Sequence, residues 1–165
     1  MLQDGRIRII TTGGTIDKVY FDAQSEFEVG EPLIGAILQE AQVGFDFEVL
    51  SLMRKDSLQI TDADRALIRE TVSDARESRI IITHGTDTMV QTGKALAGIA
   101  HKTIVLVGAL NPARFRSTDA VFNIGMAVAT AQVAAPGVYI AMSGRVFQAG
   151  KVRKNRSRNR FEPIE

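Results

Sequence analysis

The chain has 165 residues, 45% of them hydrophobic, with 20 basic against 19 acidic side chains, a formal net charge of +1 and no cysteine. That length suits one domain, here taken as 1–165, with a sizeable core, and so even a charge balance gives no global field to draw nucleic acid or a membrane surface. The lack of cysteine excludes disulfides, thiolate catalysis and a thiolate-bound zinc site.

Met1 to Arg8 carries charges where a secretory signal needs a continuous apolar stretch, and no segment approaches the roughly 20 apolar residues of a membrane span. A cytoplasmic, soluble protein is expected. The run Ile7-Arg8-Ile9-Ile10 predicts a buried strand, followed at once by the hydroxyl-rich turn Thr11-Thr12-Gly13-Gly14-Thr15. From about Ile16 to Gly30 no period is visible, so this reads as a long loop, either a lid or binding segment or an ordered surface excursion. Pro32 suits the first turn of a helix reaching about Ala41, and Phe45 to Leu52 predicts the second strand. Thr61 with Asp64 marks a capped helix expected to end near Arg76, with basic residues complementing its dipole.

Ile80-Ile81-Ile82 predicts the third strand, and a second hydroxyl turn follows it, His84-Gly85-Thr86-Asp87-Thr88. Thr88 to Ala100 reads as a helix, Lys102 to Val107 as a strand ending in Gly108-Ala109, Ala120 to Ala134 as a closely packed alanine-rich helix, and Val138 to Met142 as the fifth strand. Phe147 to Val152 resembles a small hairpin around Ala149-Gly150. The basic run Lys151, Arg153, Lys154, Arg156, Arg158 and Arg160 is interleaved with asparagine and serine, which favours a solvated tail over about 151–165 above a phosphate-contacting segment. Strands alternating with helices predict an α/β fold, a mainly parallel sheet with helices on both faces, closed by a C-terminal β-hairpin.

The two hydroxyl turns fall at carboxyl ends of strands, where open α/β sheets bind ligands. A Gly-Gly pair there lets backbone approach a ligand closely, but neither a dinucleotide fingerprint nor a P-loop is present. An alcohol is a poor nucleophile at neutral pH, so a catalytic threonine needs a nearby base and a group that fixes that base; Asp87 and a lysine would serve. Composition alone leaves that lysine open.

Thr12-Gly13-Gly14-Thr15-Ile16 and Thr83-His84-Gly85-Thr86-Asp87-Thr88-Met89 together resemble the two signature sequences of the L-asparaginase/glutaminase family. Asp56-Ser57 resembles that family's substrate loop. Val107-Gly108-Ala109, Asn111-Pro112 and Ser117-Thr118-Asp119 resemble the segment after its fourth strand. In order and spacing the chain is similar to the family's N-terminal domain, which implies a Rossmann-like sheet. The resemblance implies Thr12 as nucleophile toward a side-chain amide, giving an acyl-enzyme and ammonia. Thr86, Asp87 and Lys154 correspond to its second catalytic group, with Lys151 the other candidate lysine. Ser57 and Asp87 would hold the substrate, with Asp56, Gln59 and Gly85 beside it, and amides around Gly14 or Thr86 and Ala109 would face the carbonyl oxygen. It implies no metal or cofactor, a small amino-acid amide as substrate, and a homodimer or higher homo-oligomer without membrane or nucleic-acid partners.

Two departures stand out. The family's second domain has no counterpart in these residues, and Phe27, in Ser25-Glu26-Phe27-Glu28-Val29-Gly30, lacks the hydroxyl of the family's loop tyrosine. Tyr20 in the same loop is the substitute candidate. His84 receives no catalytic role and is expected to be packed or hydrogen-bonded, while His101 reads as a surface residue at a helix end. An asparaginase-like amidohydrolase is therefore the leading expectation; a non-catalytic module binding aspartate or asparagine is the alternative, and a nucleic-acid-binding protein using the basic tail is a remote third.

Overall fold

The structure is a computed structural model that describes residues 5–20 and 27–164. Its centre is a six-stranded sheet. Five strands are parallel: β1 (Ile7–Gly13), β4 (Phe47–Lys55), β5 (Arg79–Thr83), β6 (Thr103–Val107) and β7 (Gly137–Met142). An antiparallel edge strand, β8 (Arg145–Gln148), completes the order β4-β1-β5-β6-β7-β8. Counting only the parallel strands, the chain runs 2-1-3-4-5, so consecutive connections leave β1 toward one edge and β5 toward the other. That reversal opens a crevice above the carboxyl ends of β1 and β5.

Alternation along the central strands supplies both faces with apolar side chains. Ile10, Ile80, Ile82, Ile104, Leu106 and Ile140 pack with Ile68 and Val72 of α2 (Asp62–Asp74) and with Met89 of α3 (Met89–Ala95). On the other face, Ile7, Ile9, Ile81, Val105 and Val107 meet Ile34 and Leu38 of α1 (Ile34–Glu40) and Ile124, Ala127 and Ala131 of α4 (Ala120–Val133). Runs of isoleucine thus read as continuous apolar strands because both sides of the sheet are covered. The predicted α/β architecture, mainly parallel with helices on both faces and a C-terminal hairpin, is the one observed.

Local chemistry explains the boundaries. Thr61 and Asp64 form a reciprocal capping box, with Asp64 N–H donating to Thr61 Oγ1 at 3.2 Å and Thr61 N–H donating to Asp64 Oδ2 at 2.8 Å. The expected basic last turn of α2 is absent: the helix stops at Asp74, before Arg76, because Ala75 is already extended. The segment expected as a long loop without period holds a single turn of 3-10 helix (Thr15–Asp17) and the paired strands β2 (Lys18–Tyr20) and β3 (Phe27–Val29).

The C-terminal region also differs from expectation. Ala149–Lys151 is a 3-10 turn between sheets, not a hairpin tip. The hairpin after β7 turns at Ser143 and Gly144, both at positive φ (55° and 71°), the dihedrals that match the twist of a two-residue hairpin loop. Nor is 151–164 a solvated tail: β9 (Val152–Asn155) pairs antiparallel with β10 (Arg160–Pro163), and Val152 and Phe161 anchor that hairpin in the core. Period-2 alternation in so short and charged a strand is masked by the basic side chains on its open face.

Candidate active site

The site grows from two turns pressed together at the switch point. β1 and β5 lie side by side, Thr11 opposite Thr83. Just beyond, Gly14 sits at φ 89°, and a Cβ there would run into the backbone of Gly85; a Cβ on Gly85 would in turn lie 2.5 Å from the Ser57 Cβ. Only hydrogen at these two positions lets three loops from separate strands stack backbone on backbone. Gly14 N–H also donates to the Lys55 carbonyl at 2.9 Å, fixing the first turn to the end of β4.

Thr86, Asp87 and Lys154 meet in the second turn, and Thr12 stands at the end of β1 against the end of β5 from which that turn leaves. Thr12 is fully buried, and its hydroxyl donates to the Thr83 carbonyl at 2.8 Å, tying the end of β1 to the end of β5. Lys154 Nζ donates to both Thr86 Oγ1 and Asp87 Oδ1, each at 2.8 Å. The Lys154 side chain is only 12% exposed, so its ammonium is held by these two partners more than by water. Arg156 Nε stands 3.8 Å from the same Asp87 oxygen. Lys151 is exposed on its 3-10 turn, and it is Lys154 that reaches the pair. The reason lies in the β9–β10 hairpin, where Val152 and Lys154 share the inward face and Arg153 points away.

Ser57 is buried at the start of a 3-10 turn, Ser57–Gln59, and its carbonyl accepts from the Thr88 hydroxyl at 2.7 Å, linking the Asp56–Ser57 loop and the second turn. Asp56 is already occupied: Oδ2 pairs with Lys18 Nζ at 3.0 Å and Oδ1 accepts from Leu58 N–H at 3.1 Å. Burial alone would push its carboxyl up, but Lys18 and the Leu58 amide outweigh burial and hold it below the ordinary range. Gln59 is exposed and, with Asp56, Lys18, Glu28 and Arg54, lines a cavity of about 590 Å³ beside the turns. Ala109 is buried at the end of β6, where Asp119 carboxylate oxygens accept from Leu110 and Asn111 N–H and Asn123 Nδ2 donates to the Gly108 carbonyl at 3.0 Å. Tyr20 ends β2 opposite Phe27, but both side chains lie outside the described residues, as do Ser25 and Glu26.

Supporting residues surround these groups. His84 is buried and neutral: its Nδ1–H donates to the Gly85 carbonyl at 2.7 Å, so Nε2 is free to accept from the Thr92 hydroxyl at 2.8 Å, and that hydroxyl accepts from Arg65 Nε at 3.3 Å. Burial lowers its pKa to about 4, the Gly85 carbonyl opposing and Arg65 assisting. The chain fixes the peptide that precedes Thr86. Asp17 closes the other side: it is buried, accepts from Leu33 N–H at 3.2 Å, and its backbone carbonyl takes Gly30 N–H and Arg114 Nη1. Burial raises its carboxyl to about 6 against the lowering influence of Leu33, Arg114 and Arg54. Sequence reasoning gave Asp17, Arg65, Thr92 and Asn123 no place. The i,i+4 pairs Thr88/Thr92 and Asp119/Asn123 were the available signals.

Comparison with known proteins gives a consistent result. Residues 6–162 match the family model described as Asparaginase, N-terminal. An L-asparaginase of Thermococcus kodakarensis is 30% identical over 173 residues, covering 96% of this chain and 51% of the relative. A glutaminase-asparaginase of Acinetobacter glutaminasificans is 30% identical over 161 residues, covering 88% and 48%. The solved structure of the thermostable L-asparaginase from Thermococcus kodakarensis superposes with a TM-score of 0.82 at 28% identity, over 96% of this chain and 51% of that one. The chain therefore spans about half the length of the curated relatives it matches.

Proposed function

Since the chain belongs to the asparaginase family, matching its N-terminal domain, we propose that it is an amidohydrolase that releases ammonia from asparagine or a related small linear amide. The observation that carries this reading is the Lys154 ammonium shared by Thr86 and Asp87 in the turn that follows Thr83, the residue whose carbonyl holds the Thr12 hydroxyl. Thr12 Oγ1 would bond to the amide carbon, the C–N bond would break, and the hydroxyl proton would leave with the amine as ammonia. Water then adds to the threonyl ester, returning the proton to Thr12 and freeing aspartate. Lys154 supplies the proton relay through the Thr86 hydroxyl, and Asp87 orients it and offers a carboxylate to the substrate ammonium. Ser57, held at the stacked loops, and Gln59, at the mouth of the adjoining cavity, are the proposed substrate contacts; Asp56 acts through Lys18. Gly14, Gly85 and Ala109 are the proposed backbone neighbours of the attacked carbonyl, and Tyr20 the proposed loop hydroxyl.

One observation favours a second reading. The Thr12 hydroxyl is committed to the Thr83 carbonyl, which is no base, so attack requires that bond to break. If the half of the relatives that these residues do not match supplies what breaks it, these 165 residues by themselves would bind aspartate or asparagine without turnover. Coupled ammonia detection with asparagine and with glutamine, run beside calorimetry with aspartate, separates the two. The amidohydrolase reading predicts ammonia release that falls by several orders of magnitude in Thr12→Ala and Lys154→Met while aspartate affinity persists in Thr12→Ala. Aspartate binding without ammonia selects the binding module.

A further inference from the structure

Four arginines of the C-terminal strands and turns converge on a second place. A cavity of about 640 Å³ lies between the Ser143–Gly144 turn and the outer face of the β9–β10 hairpin, lined by Arg145, Arg153, Arg158, Arg160 and Glu162 with Ser143 at its edge. Four guanidinium groups against one carboxylate leave a formal +3 there, in a chain whose total is +1. Glu162 is already spent: Oε1 accepts from Arg153 Nε at 3.0 Å, Arg153 Nη2 at 2.8 Å and Asn155 Nδ2 at 3.0 Å. Arg160 Nε stays 3.8 Å from its other oxygen. Arg145 and Arg158 have no ion pair among the described residues, and Arg145 is stacked over the Phe147 ring at 5.7 Å. Ser143 Oγ accepts from Phe161 N–H at 3.0 Å, which leaves its own hydrogen to donate.

We propose that this cleft binds a phosphoryl-bearing anion. Like charges gathered around a satisfied carboxylate repel one another until a multivalent anion enters, and planar guanidinium forks match tetrahedral oxyanions through paired N–H donors. The cavity exceeds a single phosphate ion, which suits a diphosphate, a nucleotide or a stretch of nucleic-acid backbone. The register of β9 explains why one basic run serves two places: Lys154 turns inward, while Arg153 turns to the cleft. The inference is independent of amide hydrolysis.

The test is calorimetric titration of the whole chain with sodium pyrophosphate at about 150 mM salt, beside fluorescence anisotropy with a labelled single-stranded oligoribonucleotide. Binding of pyrophosphate, of the oligonucleotide, or of both supports the cleft, and their relative affinity tells a small ligand from a polymer. The Arg158→Gln/Arg160→Gln variant, which leaves the Arg153–Glu162 pair intact, weakens the bound species at least about tenfold, whereas Arg116→Gln, outside the residues that line the cleft, does not. No binding of either probe, affinity indifferent to the double variant in a chain of unchanged circular dichroism, or citrate binding as tightly as pyrophosphate would each overturn the proposal.

Discussion

His84 and Asp17 are buried beside the two turns and titrate with opposite consequences for stability. His84 has a folded-state pKa of about 4, below its ordinary 6.5, so the unfolded chain takes up its proton first. Its contribution is complete above about pH 6.5 and declines as pH falls toward 4. Asp17 is raised from 3.8 to about 6, so here the folded chain protonates first. It destabilises the fold at neutral pH, and that cost is relieved as pH falls from about 6 toward 3.8. In the wild-type chain the two slopes partly cancel. Asp17→Asn keeps an oxygen for Leu33 N–H and removes the buried charge, so it should stabilise the protein at pH 7 by on the order of 1–2 kcal/mol and steepen the loss on acidification. Urea denaturation at pH 7 and pH 5 reads both effects; an Asp17→Asn variant less stable than wild type at pH 7 refutes the assignment.

At the scale of elements, close approach and capping decide where the functional residues stand. Gly14→Ala forces a Cβ into the Gly85 backbone at φ 89°, a strain no side-chain rotation relieves. We expect it to destabilise the fold by more than about 2 kcal/mol and to break the Thr12–Thr83 link, checked by chemical denaturation and aspartate calorimetry. Thr61→Ala is milder. It removes one half of the capping box while Asp64 keeps its ion pair with Lys55 at 2.8 Å, so a loss of about 1 kcal/mol is expected with ligand binding unchanged. Capping was legible in the sequence because Thr61 and Asp64 lie three residues apart. The β9–β10 hairpin was not: its two inward anchors, Val152 and Phe161, are separated by a basic stretch that reads as solvated when no neighbour is known.

For the whole molecule, the exposed side of α4 is the feature the sheet leaves unresolved. Val121, Phe122 and Val133 are 57%, 64% and 77% exposed on a helix with no charged residue. The alanine-rich pattern predicted close packing, and Ala127 and Ala131 do pack, but on one side only. A bare apolar helix face favours association. Sedimentation velocity over a concentration series should show self-association that Phe122→Glu weakens; a monomer at all concentrations refutes it.

Local order in the sequence was enough to determine the alternating strands and helices, the two hydroxyl turns and their family signatures, because each depends on residues a few positions apart. Only the tertiary structure decided that Lys154 rather than Lys151 meets Thr86 and Asp87, that the Thr12 hydroxyl rests on the Thr83 carbonyl, and that burial keeps His84 neutral. The first two depend on which groups are brought together across 67 to 71 positions of chain, and the third on how little water is left around the imidazole. Neither quantity is written in any local stretch of residues.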